Sequence, residues 1–222
     1  MNEIIQAIAV YALPVIFAIT LHEAAHAYAA KYFGDNTAYA AGRMSMNPLK
    51  HIDPFGTILL PALLYMATKS MGVPMVFGYA KPVPVDFSRL RNPKKQMAWV
   101  ALAGPVSNFI MALGWLVFAL LLAATKVSEL YPHEVARAGI LVNVVMFVFN
   151  LVPIPPLDGG RVLTSLLPNR LAYKFSKIEP YGFFIVLGLL YFHILDYWFF
   201  PMMAFTQGLL RLVATPLTLL LS

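Results

Sequence analysis

Apolar runs approaching the roughly 20 residues needed to cross a bilayer as helix alternate along the chain with short polar stretches. The first run, about Ile4 to Phe33, ends at Gly34, a helix stop. Residues 35–53 are polar, with turn formers at Gly42, Asn47 and Pro48. Asp53-Pro54 reads as a helix cap followed by proline at the first helical position. The run behind it, Phe55 to Thr68, carries Pro61 and is short for a span, which predicts a re-entrant segment. Phe77 to Asp86 reads as an extended strand or loop, and a basic stretch follows to Lys95. Met97 to Thr125 and Ala136 to Val152 predict two long helices, the second ending at Pro153-Ile-Pro-Pro156. Tyr181 to Phe200 predicts a further span. Ala204 to Leu221 allows a span or an amphipathic surface helix; Gln207 and Arg211 share a face, and the need of Arg211 for water favours the surface. No internal repeat interrupts this order, so residues 1–222 read as a single domain.

Composition places these runs in a membrane. Hydrophobic residues make up 60% and charged residues 12%, with a mean hydropathy of +0.72, whereas about a quarter of a soluble domain is charged. The first 20 residues lack a basic n-region and a small-x-small cleavage site, so they read as retained helix. Net charge is +6, but the basic residues sit in short loops, which sets membrane orientation and argues against nucleic acid. Segment 69–96 carries Lys69, Lys81, Arg89, Arg91, Lys94 and Lys95 against Asp86, and segment 154–180 carries Arg161, Arg170, Lys174 and Lys177. Loop 125–137 balances Lys126 and Arg137 with Glu129 and Glu134. The positive-inside rule puts the two basic segments in the cytoplasm, and Arg43 and Lys50 argue the same for 35–53. All three share that side only if 55–78 dips in and returns, leaving the N-terminus outside.

Thr20-Leu-His22-Glu23-Ala-Ala-His26 stands inside the first apolar run. Residues four apart on a helix project from one face, so His22 and His26 can hold Zn²⁺ together while Glu23 reaches a water on the metal. Two His and a Glu in a nearly uncharged helix are costly at membrane depth unless paired or metal-bound. With no cysteine in the chain, any further ligand is His, Asp or Glu. The best candidate is Asp158 in Asn150-Leu-Val-Pro-Ile-Pro-Pro-Leu-Asp158-Gly-Gly160. The prolines break the helix, such backbone at membrane depth lines a cavity or is buried in protein, and the glycines let the chain turn closely.

The sequence resembles the site-2 protease family (peptidase family M50), in the compact form without a PDZ or CBS domain. The resemblance rests on His22-Glu23-Ala-Ala-His26, Ala103-Gly-Pro-Val-Ser-Asn108 and Asn150 through Gly159, in the family's order. It implies an all-α polytopic membrane protein of about five to six membrane helices, with a re-entrant segment and a short β-strand or loop element near the active site. The catalytic core would cover about 4–165 and the C-terminal helices about 181–221. It implies one Zn²⁺ held by His22, His26 and Asp158, with Glu23 activating a zinc-bound water. The site would open toward the cytoplasmic side of the cell membrane and cut peptide bonds in or near transmembrane segments of substrate proteins. Asn150 matches a family asparagine that helps bind substrate. The bilayer and the substrate are the partners implied; a regulatory partner or a homo-oligomer is left open.

Other polar residues have assignable roles. Pro82 and Pro84 blunt one edge of Gly78–Asp86, while Lys81, Val83 and Val85 keep N–H donors on the other, an edge that an extended substrate could join. His51 is an accessory ligand or a loop histidine, and Asn108 either bonds near the metal or, like Asn143, bridges helices. His193 and Asp196 read as an interfacial pair, and His133 as solvated. Tyr191, Phe192, Tyr197, Trp198, Phe199 and Phe200 read as lipid-facing anchors. Two rival functions are a metal-binding or metal-transporting membrane protein and an inactive membrane scaffold; Glu23 beside His22 argues against the first, and the full set of catalytic residue types against the second.

Overall fold

The computed structural model describes residues 2–59, 63 and 81–221. Their helices are α1 (Asn2–Phe33), α2 (Thr37–Ala40), α3 (Pro93–Ala124), α4 (Leu130–Asn150), α5 (Asp158–Leu166), α6 (Asn169–Ser176), α7 (Glu179–Tyr191) and α8 (Asp196–Leu221). Short 3-10 turns at Pro48–Lys50 and Phe87–Arg89 and one π-helical turn at Pro54–Leu59 complete the order. Segments Ile5–Phe33, Pro93–Ala124, Leu130–Asn150 and Asp196–Leu220 are long and apolar enough to cross a bilayer. Helix is the expected solution, because lipid offers no partner for exposed backbone N–H and C=O.

Helix α3 is the hub, packing against α1, α4, α5 and α8. Its approach to α1 is close at small residues: Val100 packs against Ala30, the Asn108 amide reaches the Ala18 carbonyl, and Gly104 is buried facing α1. Small side chains bring membrane helices close where van der Waals contact, not water exclusion, drives association. A larger cluster joins Ala112, Val144, Val148 and Leu210 with Phe109, Phe147, Trp198 and Phe199 around them. Trp198 and Phe199 therefore belong to the core, while Tyr191, Phe192, Tyr197 and Phe200 face outward as expected of lipid-side anchors. The Trp198 indole also donates to the Val148 carbonyl at 3.2 Å, which a lipid-facing ring could not do.

Gly34 ends α1 in the left-handed region, φ 115°, with the Gly34 and Asp35 N–H groups returning to the Lys31 and Ala30 carbonyls. The same closure ends α7, where His193 takes φ 57° and the His193 and Ile194 N–H groups return to Leu190 and Leu189. This corrects the single span expected over Tyr181–Phe200. At 13 residues α7 is too short to cross alone, and a new helix starts at Asp196, whose carboxylate lies 3.0 Å from His193 Nδ1. Residues 204–221 continue that helix, with Thr206, Leu210 and Ala214 buried, in place of the separate surface helix expected there.

Among the described residues there is no strand: 81–86 are extended without ladder partners, and Phe77–Ala80 lie outside the description. Asp53 caps the π turn as expected, its carboxylate accepting from the Gly56 N–H at 2.7 Å. Of the re-entrant run 55–68, residues 60–62 and 64–68 fall outside the described residues.

Candidate metal centre and its surroundings

Two helices and one broken turn build the centre. His22 and His26 stand one turn apart on α1, and Asp158 opens α5 immediately after the Pro153–Pro156 turn that ends α4. An acidic residue in a first helical turn is favoured by the helix dipole. Glycines permit this approach: a Cβ on Gly159 would strike the Leu151 and Val152 carbonyls, and one on Gly160 the backbone of Ile154 and Pro155. Gly104 of α3 faces the rings directly, and a Cβ there would overlap both imidazoles.

The three donor atoms converge. Nε2 of His22 and His26 are 3.1 Å apart, and Asp158 Oδ2 lies 3.2 Å and 3.3 Å from them. All three residues are buried. His22 Nδ1 faces Asn108 Oδ1 at 2.6 Å and His26 Nδ1 faces the Val100 carbonyl at 2.7 Å. Both oxygens accept only, so each Nδ1 carries a proton, and in the neutral ring each Nε2 presents a lone pair. The close Nε2–Nε2 approach is therefore not a hydrogen bond between neutral rings. Asp158 Oδ2 likewise has no hydrogen-bond partner. Three buried acceptors pointing at one another without a donor repel unless a cation sits among them. Tetrahedral coordination with ligand bonds of about 2.0–2.1 Å separates ligand atoms by about 3.3 Å, so this set fits zinc.

Glu23 sits beside this triangle, its Oε2 accepting from the Val83 N–H at 2.8 Å. The segment carrying Val83 is fastened to the end of α1. The Lys81 N–H donates to the His51 carbonyl at 3.0 Å, the Asp86 N–H to buried Asp35 at 2.8 Å, and the Arg91 N–H to the Phe33 carbonyl at 3.1 Å. On the edge expected at Lys81, Val83 and Val85, the Lys81 and Val83 donors are bonded within the chain, to the His51 carbonyl and to Glu23, and the Val85 side chain packs toward Ala30, Leu90 and Val100.

The other expected residues divide. Asn108 orients His22, with its Nδ2 donating to Asn143 Oδ1 at 3.0 Å. Asn143 in turn donates to the Gly139 carbonyl at 2.8 Å. Asn150 turns back on the Met146 carbonyl at 3.0 Å. His51 is fully buried and lies outside the three-residue group; its Nε2 donates to the Ser45 carbonyl at 2.7 Å. His133 is half-buried, not solvated, and meets the Val127 carbonyl at 2.9 Å. The sequence assigns no role of their own to Gly104, which it shows only within the Ala103–Asn108 motif, to Asp35 or to the Val100 carbonyl. Gly104 carries a signal, a glycine between Ala103 and Pro105 within a long helix, whereas a backbone acceptor carries none.

Known proteins similar to this chain are metalloproteases by name. The profile described as Peptidase family M50 matches residues 10–140 and 125–192. The chain is 37% identical over 196 residues to "Putative zinc metalloprotease YwhC" of Bacillus subtilis, covering 86% of this chain and 84% of that one. It is 32% identical over 191 residues to "Putative zinc metalloprotease Rip2" of Mycolicibacterium smegmatis, covering 84% and 68%. "Zinc metalloprotease MJ0392" of Methanocaldococcus jannaschii is 29% identical over 92 residues, covering 39% of this chain and 24% of the relative. No solved structure matches. Most of the chain matches the family profile, and four of its helices are long and apolar enough for a bilayer. The chain belongs to peptidase family M50, the site-2 proteases, and is a multi-pass membrane metalloprotease whose cofactor is zinc.

Proposed function

We propose that this metalloprotease, acting as one membrane-embedded domain, hydrolyses peptide bonds within or beside the transmembrane segments of other membrane proteins. His22, His26 and Asp158 are the zinc ligands and Glu23 the general base. The observation that carries this reading is the convergence of two lone-pair nitrogens and an unpartnered carboxylate oxygen, 3.1–3.3 Å apart, on a helix long and apolar enough to span the bilayer. With both rings neutral such a buried set is stabilised by a metal cation, and the place of His22 and His26 on a membrane-length helix favours substrates that reach the site through the bilayer.

Zinc held by His22, His26 and Asp158 would supply polarisation of the scissile carbonyl and a lowered pKa for an attacking water. Glu23, adjacent in sequence to the first ligand, takes the proton of that water and passes it to the leaving amine. The Val83 N–H fixes one oxygen of Glu23 and leaves the other to face the substrate. A helical substrate hides its peptide groups in its own hydrogen bonds and must unwind before cleavage. Lys81, Val83 and Val85 remain the place where unwound chain can lie, on condition that the bonds of Lys81 and Val83 are exchanged for substrate bonds. Asn150, at the end of α4 and eight residues before Asp158, is proposed as a further substrate contact.

The charge pattern supports a cytoplasm-facing site. With α1 running inward, 35–53, 81–96 and 154–180 lie inside, and the short connection 125–129 outside. His22 and His26 occupy the later part of α1, and Asp158 follows the inner end of α4.

Glu23→Gln in native membranes tests the reading. The variant keeps stoichiometric zinc, loses cleavage, and traps uncut membrane proteins that active enzyme releases as shortened fragments, identified by mass spectrometry. Trapped proteins without membrane segments, or unimpaired cleavage, would overturn it.

A further inference from the structure

The loop after α1 and the start of the 81–86 segment border an open cavity of about 370 Å³ lined by Ala41, Gly42, Arg43, Leu49, Lys50, Ile52 and Lys81. Three of the seven are cations and none is an acid. Among the described residues, neither Arg43 nor Lys50 nor Lys81 has a carboxylate within ion-pair distance, whereas Arg89 pairs with Asp86 and Arg161 with Glu179. Their bonds go to neutral carbonyls: the Lys50 Nζ donates to Gly42 at 2.9 Å, and the Arg43 guanidinium to Lys81 at 2.8 Å and Pro82 at 3.4 Å. The Arg43 Nε is buried and has no partner at all. Three uncompensated positive groups around one cavity, with a buried N–H left over, are an anion site by charge and by hydrogen-bonding capacity.

The surroundings indicate where the anion comes from. Leu49, in the cavity wall, is 76% exposed, and Met46 in the same loop is 64% exposed. Apolar side chains beside lysine and arginine, within some twenty residues of the end of a membrane-length helix, are the pattern of a surface held at headgroup level. We propose that the cavity between Gly42, Arg43, Lys50 and Lys81 binds a phosphate-bearing anion at the membrane surface, with the headgroup of an anionic phospholipid as the source its apolar rim favours. The site abuts the candidate catalytic apparatus through Arg43. The carbonyls that this side chain holds belong to Lys81 and Pro82, and the next N–H along the chain is the one that fixes Glu23. A phosphate held between Lys50, Lys81 and the Arg43 guanidinium would keep that guanidinium where it clamps this segment.

The test uses the full chain, purified and delipidated in detergent, and binding read by native mass spectrometry. It does not depend on proteolysis. Short-chain phosphatidylglycerol, short-chain phosphatidylcholine and inorganic phosphate are titrated separately. Wild type is expected to retain phosphatidylglycerol and not phosphatidylcholine. Lys50→Gln should weaken that adduct about fivefold, Lys50→Arg should restore it, and Arg170→Gln, on a distant basic segment, should leave it unchanged. Arg43→Gln should lose it further; Lys50, being exposed, guards against a folding defect at Arg43, and unchanged zinc content checks both. Saturation by inorganic phosphate at millimolar concentration with the same Lys50 dependence would assign the site to soluble phosphate instead of lipid. Equal retention of both lipids, no response to Lys50→Gln, or capture of an acidic peptide where neither phosphate form binds would overturn the proposal.

Discussion

Nδ1 of His22 lies 2.6 Å from Oδ1 of Asn108, a residue 86 positions further along the chain on a different membrane-length helix. That contact decides which nitrogen of His22 is free. The Asn108 amide is itself held, because its Nδ2 donates to Asn143 Oδ1 at 3.0 Å and to the Ala18 carbonyl at 3.3 Å. A flipped amide would set its N–H groups against the His22 proton and lose both bonds. The His22 lone pair is thus aimed by a chain running from Gly139 through Asn143 and Asn108 across two helix interfaces.

Asn108→Ala should accordingly weaken zinc binding about 10- to 100-fold, the usual cost of removing a partner that orients a ligand histidine. Competition of the purified protein against a chromophoric chelator measures it. Asn143→Ala should weaken binding less, since Asn108 keeps its Ala18 bond. An affinity unchanged by Asn108→Ala would show that His22 needs no such aim.

Gly104→Ala offers a sharper contrast. The added methyl lands among ring atoms of both His22 and His26, so the imidazoles must move and the donor set opens. Gly114→Ala, ten residues on in the same helix, adds a methyl in open space. Gly104→Ala should bind less than a tenth of the zinc that wild type holds under stoichiometric loading, with Gly114→Ala indistinguishable from wild type. Overpacking at Gly104 should also cost about 1–3 kcal/mol of stability. Equal zinc content in both variants would dismiss the close packing described here.

The sequence made the donors of the centre legible but not what surrounds them, for a physical reason. The four-residue spacing of His22 and His26 fixes one helical face, and the prolines before Asp158 announce broken backbone, so both can be read locally. Asn143 bonding Asn108, the Val100 carbonyl on His26 and the Lys81 bond to His51 are contacts between distant segments, which no local pattern encodes. The C-terminal helices failed for a related reason. Tyr181–Phe200 is apolar throughout, and only the positive φ of His193, a conformation that any residue can be forced into by packing, divides it. Trp198 and Phe199 look like lipid anchors in sequence, because an aromatic in a membrane helix reads the same whichever way the helix is turned.

Val83→Pro and Val83→Ala separate two roles of one residue. The Val83 side chain is buried near Ala27 and Ala38, while its N–H donates to Glu23. Alanine keeps the N–H and trims the packing; proline removes the N–H. A hydrogen bond to a charged group contributes about 1.5–3 kcal/mol, so loss of this one should free Glu23 to rotate. Val83→Pro should then cleave a model membrane substrate at least fivefold more slowly than Val83→Ala at equal zinc content. Matching rates would mean that the bond does not aim the carboxylate.

Asp158→Asn addresses the repulsion within the centre itself. In wild type without metal, the carboxylate oxygen faces the two Nε2 atoms at 3.2 Å and 3.3 Å, and with both rings neutral there is no donor among them. An amide at this position brings an N–H₂ group that can donate to either Nε2, converting repulsion into a hydrogen bond while discarding the anionic ligand. The metal-free variant should therefore unfold at a temperature equal to or above that of metal-free wild type. Zinc should raise the wild-type transition, since a ligand that binds only the folded state at 100 times its dissociation constant adds about 2.7 kcal/mol. It should leave Asp158→Asn nearly unmoved. Thermal unfolding in detergent with and without zinc, following tryptophan fluorescence, reads both effects at once. A metal-free variant less stable than metal-free wild type would show that Asp158 is satisfied by the protein alone, and an undiminished zinc shift would remove it from the ligand set.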